Sequence, residues 1–506
     1  MKLKKTILAL CVAGTVLGSG IRAEAYYTPP SNNYTYIYNE FGWVVETPDA
    51  YEFAYSVDLR ALDGYDVTNL IDMCVKENGE LFVLETTLGV VFCFDSQQNY
   101  VGVMKEFTMP DGSVTTLSKP EGIYVSEKDE MYICDTGNSR VLVCDRKGNV
   151  SLEVVKPENI IGTSVSSFLP IKAVADSAGR ISIVARNVNR GIMQFTKEGV
   201  FTGYMGAPAV QVDALTKLLR KFYSDEQLAT MTTYVPTEYN NIKIDGNNFI
   251  WGTISAISNN SVISTISGKD LSGKVTPIKK LNMMGTDVLV RKDVYPPIGD
   301  LMFVESPSKI VDVGLGPNKI YTMLDSTQGR FFTYNNDGIL LYAFGGKGTA
   351  KGEVQTPIAI DYVSDKIVVL DSGLRSLLVY EPTLYGGLLV SAEGYFLAGN
   401  YTDANNAWKQ VTELNSNFKY PYIGLGNAEY NSGKYEEAMD YYEYADARTP
   451  YSNAKEKLRK ASLSVSFPYI VSAILVFIVL FVGKGIFLRI RKYVRGELVT
   501  YGEEEE

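Results

Sequence analysis

From about residue 67 onward, short apolar runs alternate with polar turns in a pattern that returns again and again. The clearest unit, residues 119–150, reads apolar strand, charged turn, apolar strand, polar hairpin, apolar strand (GIYV, SEKDE, MYICD, TGNSR, VLVCD). Units in the same register stand about fifty residues to either side, so that Gly79, Asp129 and Gly179 align at the first turn and Arg140 and Arg190 at the hairpin. Two later copies cover 309–341 and 358–382, and a degraded one covers 239–266, which makes six in all. Strict alternation over four to six residues, bounded by Gly, Asp and Asn, predicts half-buried strands joined by tight turns.

A period of 40–50 residues built from such strands is the mark of propeller blades, each a sheet that cannot bury both faces alone. The expected fold is therefore mainly β: a six-bladed β-propeller over 67–384, followed by a small α-helical unit and one transmembrane helix. Residues 26–66 form an N-terminal segment in which the strand-rich stretch Tyr51 to Leu62 is expected to close the ring, because an open edge invites aggregation. Helical spacing of Leu215, Leu218, Leu219 and Phe222 predicts a helical insertion over 209–237, read either as a lid or docking element or as a decorative addition.

Pro120-Glu121-Gly122-Ile123-Tyr124-Val125 and Asp135-Thr136-Gly137-Asn138-Ser139-Arg140-Val141 resemble the NHL-repeat propellers almost position by position. The resemblance covers residues 67–384 and implies a fold more firmly than an activity. Its recurring residues here are Asp135, Asn138, Arg140, Arg190, Asp325, Arg330 and Asp371. A local reading makes them structural, with Gly137 and Asn138 tolerating positive φ in a hairpin and Asp135 accepting N–H groups of that turn; ligand binding is the other open reading.

Past residue 385 the period becomes 34. Residues 422–445 resemble a tetratricopeptide repeat, with Leu425, Gly426, Gly433, Tyr435 and Ala438 at packing positions. An earlier copy places Gly399, Tyr401, Ala404 and Trp408 34 residues before Gly433, Tyr435, Ala438 and Tyr442. Two repeats over 385–465 are too few for a free-standing solenoid, so packing on the propeller or on a partner is implied. A stalk and a partner-binding unit are both open readings.

The two ends set the expected location. Residues 1–25 join a basic start, a short apolar run and Ala23-Glu24-Ala25, the pattern of a secretory signal peptide. Residues 467–488 are apolar but for Lys484 and long enough for a bilayer core of about 30 Å. Arg489, Arg491, Lys492 and Arg495 follow at once, so the tail 489–506 is expected in the cytoplasm and the bulk of a single-pass membrane protein outside.

Composition narrows the chemistry. The net charge of −10 and the lack of a concentrated basic face argue against nucleic acid. There is no histidine, which removes imidazole bases and imidazole metal ligands. Cys74, Cys93, Cys134 and Cys144 lie within apolar strands, where thiols serve as small core residues, although two disulfides are conceivable. Two functions remain. One is an interaction module presenting the propeller to a protein or glycan partner, similar to accessories of bacterial export or sugar-uptake complexes, with no cofactor and no catalytic residue. The other, implied by likeness to gluconolactonase-type propellers, is a lactone hydrolase using one divalent metal, Ca²⁺ or similar, held by carboxylate and amide oxygens. Blade position alone offers Glu121 and Asp361 as axial groups for it.

Overall fold

The computed structural model describes residues 34–39, 41–158, 167–188, 190–206, 238–269, 275–291, 297–302 and 305–496. The signal-peptide segment 1–25, the insertion 209–237 and the tail beyond 496 lie outside the described residues.

Six antiparallel sheets follow one another along the chain. Blade 1 comprises Leu70–Val75, Leu81–Glu85, Val90–Phe94 and Tyr100–Met104. Blade 2 comprises Gly122–Val125, Met131–Asp135, Arg140–Cys144 and Val150–Val154. Leu169–Ala175, Ile181–Arg186, Ile192–Phe195 and Phe201–Met205 form blade 3; Asn241–Ile244, Ile250–Thr253 and Ile278–Leu281 form blade 4. Blade 5 holds Ile310–Leu315, Tyr321–Asp325, Arg330–Tyr334 and Leu340–Phe344. Blade 6 takes Pro357–Val363, Lys366–Asp371 and Ser376–Pro382 from the end of the propeller and its outermost strand, Tyr51–Asp58, from the start.

That last pairing joins the two ends of the sheet-forming chain, with Tyr51 opposite Pro382 and Asp58 opposite Ser376. An added hairpin, Tyr36–Tyr38 and Val44–Glu46, widens blade 5 through the Tyr36–Ala343 pair. Each first strand packs against the next around the axis, blade 6 against blade 1 included.

Separate apolar clusters fill the interfaces between neighbouring blades. Val125, Ile133 and Leu142 meet Phe82, Leu84 and Val91 between blades 1 and 2, and Val368, Leu370 and Val379 meet Met73, Val83 and Phe92 between blades 6 and 1. The expected fold class holds: the missing burial of each sheet comes from its neighbours.

Blade 4 departs from the expected strand pattern. Residues 259–266, the end of the degraded copy, form helix α1 (Asn259–Ile266), and the third strand lies further on at Ile278–Leu281. Ser258 caps the helix by accepting the Ser261 N–H at 3.2 Å, and a Ser/Asn start of this kind favours a helix over a ladder. Among the described residues no fourth strand follows; the edge is partly covered by the Val288 N–H, which donates to the Lys280 carbonyl at 2.7 Å, and by the Arg291 guanidinium, which donates to the Ile278 carbonyl at 3.0 Å.

The helical unit comprises α2 (Leu384–Leu397), α3 (Tyr401–Leu414), α4 (Lys419–Asn431), α5 (Tyr435–Tyr444) and α6 (Arg448–Val494). Gly399 and Gly433 end α2 and α4 in the left-handed region (φ 75° and 82°). Ala404, Ala438 and Leu425 are buried, and a Cβ on Gly426 would lie 2.5 Å from the Tyr442 ring. Tyr401 packs tilted against Phe396 and Tyr435 edge-on against Tyr430, with ring centroids 5.8 and 5.4 Å apart. Leu389, Trp408, Val411 and Leu425 belong to the same cluster as Phe331, Leu341 and Tyr380, so this unit shares a core with blades 5 and 6.

Helix α6 runs without a break through Pro468. It is long and apolar enough to cross a membrane, and its apolar stretch is exposed throughout.

Candidate functional site

The acids at the ends of the second strands are local braces. Glu85, Asp135, Asp325 and Asp371 are fully buried. Each reaches back to the segment that leads into its own blade: Glu85 accepts the Asn69 N–H at 2.7 Å, Asp135 that of Ser118 at 2.7 Å, Asp325 that of Lys309 at 2.8 Å and Asp371 that of Gln355 at 2.7 Å. Asp135 also receives Asn138 Nδ2 and Arg140 Nε, both at 2.8 Å. Arg330 stands in the same register as Arg140 but turns elsewhere, donating to Gly345 O and lying 4.7 Å from the Tyr34 ring centroid. Arg190 packs over the Tyr204 ring at 5.9 Å.

The hairpin of blade 2 differs from expectation. Its left-handed residue is Ser139 (φ 57°), and Thr136–Asn138 is a 3₁₀ turn. Gly137 is required for closeness instead, since a Cβ there would lie 2.5 Å from Ser118 O.

A second polar set lines the propeller axis. Alternate residues of a first strand face the axis, and register fixes which ones are equivalent. Asp72, Gly122, Lys172, Asn241, Asp312 and Ala359 pair with Leu84, Cys134, Val184, Thr253, Leu324 and Leu370, forming one layer. Two residues further on lie Cys74, Tyr124, Val174, Lys243, Gly314 and Asp361.

The layers carry three carboxylates and two ammonium groups, all closely paired. Lys172 Nζ bonds to Asp72 Oδ2, which also accepts the Ile123 N–H at 2.8 Å. Lys243 Nζ lies 2.9 Å from Asp361 Oδ2 and 3.4 Å from Asp312 Oδ2, and donates to Ile360 O at 2.6 Å. Asp312 also accepts Asn241 Nδ2 at 2.6 Å and the Ile360 N–H at 2.8 Å.

Burial opposes the charge on Lys243, but Asp312 and Asp361 outweigh it and hold its pKa above the ordinary lysine value. Burial pushes Asp312 the other way, up, against the pull of Lys243 and Lys172. The shorter contacts and the two flanking carboxylates favour an ammonium that stays charged. Gly122 makes the crossing from Asp72 to Lys172 possible, because a Cβ there would collide with the Ile171 carbonyl.

Beyond these layers opens a cavity of about 850 Å³, lined by the turns that join first to second strands and by flanking residues. Its rim includes Glu127, Asn247 and Lys319, and Lys243, Asp361 and Tyr124 lie deeper. Between blades 1 and 2, Lys76 pairs with Asp129 at 2.6 Å and Arg146 Nη1 with Glu80 at 2.7 Å. The hydrogen bond from Arg146 holds Glu80 at about 2.

The helical unit abuts the same face. Asn318, in the turn beside Lys319, donates to Val390 O of α2 at 2.9 Å, and Asn335 bonds Glu393 of α2 and Tyr420 of α4 at 3.2 and 2.7 Å.

Of the two axial acids offered by blade position, Asp361 is on the axis and Glu121 is not. Glu121 precedes the first layer and pairs with Arg186 at 2.5 Å. The sequence pattern does not link the axial lysines, Asp72 and Asp312 as a set. Their signal was a charged residue inside otherwise apolar first strands (IDMCV, IKAVA, NIKI, IVDVG).

A divalent ion would need these oxygens free. Each axial carboxylate instead holds a lysine, and among the described residues no three Cys, Asp or Glu side chains converge as a metal cage. The axial donor set does not fit a resident metal. Among the described residues Cys74, Cys93, Cys134 and Cys144 are free thiols, and burial pushes Cys74 and Cys144 up to about 12.

Fold and axis together define a six-bladed propeller whose centre is closed by ion pairs. No protein-family model and no curated protein matches the chain. Among solved structures it is similar to virginiamycin B lyase from Staphylococcus aureus, at 10% identity over 65% of this chain and 99% of that one, with a TM-score of 0.38. A gluconolactonase from Xanthomonas campestris is similar at 10% identity over 71% and 99%, TM-score 0.37. The extracellular domain of a putative hybrid two-component system from B. thetaiotaomicron aligns at 8% identity over 70% and 41%, TM-score 0.34. At these identities the likeness concerns the fold alone.

Proposed function

We propose that the chain is a membrane-anchored binding module, held outside the cytoplasm, which receives a protein partner at the cavity-bearing face of its propeller. The observation that carries this reading is the shared face: the cavity mouth at Gly316 and Lys319 adjoins Asn318, on which α2 rests. A partner reaching the cavity there meets propeller and helices together. The apolar stretch of α6, the signal-like residues 1–25 and the basic residues after 488 support single-pass anchoring with the C-terminus inside. A membrane transport or export complex is the partner class this arrangement suits, and a glycan is the alternative ligand. The alternative is a lactone hydrolase on a divalent ion, which would have to displace a lysine from each axial carboxylate.

Site-specific photo-cross-linkers test the reading in intact membranes. Probes replacing Glu127 or Asn247 at the rim, and Tyr444 on α5, should label the same protein, and a probe replacing Thr87 should not. Absence of any protein or glycan adduct from the rim, or labelling equally strong from Thr87, would refute it.

A further inference from the structure

We propose that Lys455, Lys457, Arg459 and Lys460 of α6 form a basic collar that binds the anionic headgroups of the membrane leaflet facing the folded body. The proposal rests on the single-pass anchoring put forward above and adds a lipid to what the chain binds. Helix α6 leaves the body at Ala454, its one buried residue among those described, which packs with Ala438 and Tyr442. From there it continues unbroken through Pro468 into the apolar stretch, so the helical rise fixes how high each residue stands. At 1.5 Å per residue, Lys460 and Arg459 lie about 10 and 12 Å before Phe467, and Lys457 and Lys455 about 15 and 18 Å. The headgroup layer adds roughly 5–8 Å to each side of the hydrocarbon core. Long basic side chains bend toward it from the nearer two positions, and the farther two remain about a Debye length, roughly 8–10 Å, from its surface.

Charge and geometry choose the partner. Four bases against Glu456 leave three positive charges within six residues, in a chain whose net charge is −10. All four bases are exposed, and Lys460, which pairs with Glu456 at 2.5 Å, keeps 66% of its side chain in solvent. Clusters of this kind beside a membrane span are drawn to anionic lipid. Around the helix, Lys455 and Arg459 share one side, Lys457 lies opposite and Lys460 stands between them. Headgroups surround a helix entering a bilayer on every side, whereas a protein docks on one, so charge spread around the helix suits lipid. Between the collar and Phe467, the exposed Leu463 and Val465 alternate with Ser462, Ser464 and Ser466, a mixture that suits the boundary between headgroups and hydrocarbon.

The test is lipid binding by the full chain in detergent, counted by native mass spectrometry as phosphatidylglycerol or phosphatidylcholine is added. The comparison is with a variant carrying Lys455→Gln, Lys457→Gln, Arg459→Gln and Lys460→Gln; Arg489, Arg491, Lys492 and Arg495 are present in both and cancel. The wild type should hold phosphatidylglycerol about tenfold or more tightly, since each basic side chain at an anionic surface strengthens the attraction about fivefold. Phosphatidylcholine should show no difference, Lys455→Arg, Lys457→Arg and Lys460→Arg together should keep the preference, and about 1 M salt should erase most of it. Carbonate washing of membranes separates this proposal from the anchoring on which it rests. A chain washed off would overturn both, whereas firmly inserted chains with equal lipid affinities would overturn the collar alone. A cross-linker replacing Ser462 that captures a protein only while the four bases are present, with lipid affinity unchanged by their loss, would assign the collar to a protein and also overturn the proposal.

Discussion

At the residue scale, the buried acids at the ends of the second strands act as braces between the incoming chain and the blade. Asp371 shows this best, accepting N–H groups from Gln355, Thr356 and Leu374 at 2.7 to 3.1 Å. Truncating it strands those donors in a dry site. Asp371→Ala is expected to lower stability by about 2–4 kcal/mol in urea unfolding, and a loss below about 0.5 kcal/mol would refute the brace. Asp135, Asp325 and Asp371 were legible because they repeat at one register, whereas Glu85, a different acid at the same place, was not. The axial lysines were not: Lys172 and Asp72 stand 100 residues apart, and only closure of the ring brings them together. In a single strand a lone lysine reads as solvent-facing, since alternation says which residues share a face but not what that face meets.

Among elements, the strand Tyr51–Asp58 decides whether the ring is closed. Without it, Ser376–Pro382 presents an unpaired edge beside a buried core. A chain beginning at residue 47 is therefore expected to elute as a folded monomer in detergent, whereas one beginning at residue 59 aggregates; equal behaviour in size-exclusion chromatography would contradict this.

The strands themselves were readable from their alternation. Helix α1 was not, because its apolar residues Val262, Ile263 and Ile266 also suit a strand, and the Ser258 cap is the finer signal that decides. The hairpin 36–46 was missed for another reason. Tyr36 packs on Tyr34 and Tyr38, but its burial is completed by residues far along the chain, and its hydroxyl donates to Asp300 at 2.7 Å.

For the whole molecule, successive interfaces and an ion-paired axis set how stability varies with pH. Tyr36, Tyr38, Tyr342 and Tyr420 have pKa values raised well above normal by burial. The unfolded chain then loses these protons near pH 10 while the folded chain keeps them, so stability falls as pH rises past about 10. Lys243 adds to the fall: its stabilisation is complete below about 10.4 and is lost as pH climbs through its raised value. Glu80, depressed to about 2, contributes above about 4.3 and is lost as pH drops toward that value. A stability plateau between about pH 5 and 10 is expected, with the last part of the phenolate absorbance, that of the buried tyrosines, rising together with the loss of circular dichroism at the alkaline end. Complete tyrosine ionisation well before unfolding would contradict it.

The most direct test of the proposal that this propeller binds rather than catalyses is made on the purified full chain in detergent, by measuring bound divalent metal together with lactone turnover before and after chelation. The account predicts no stoichiometric metal and no turnover that EDTA abolishes. One tightly held ion per chain, with hydrolysis that vanishes on its removal, would contradict it.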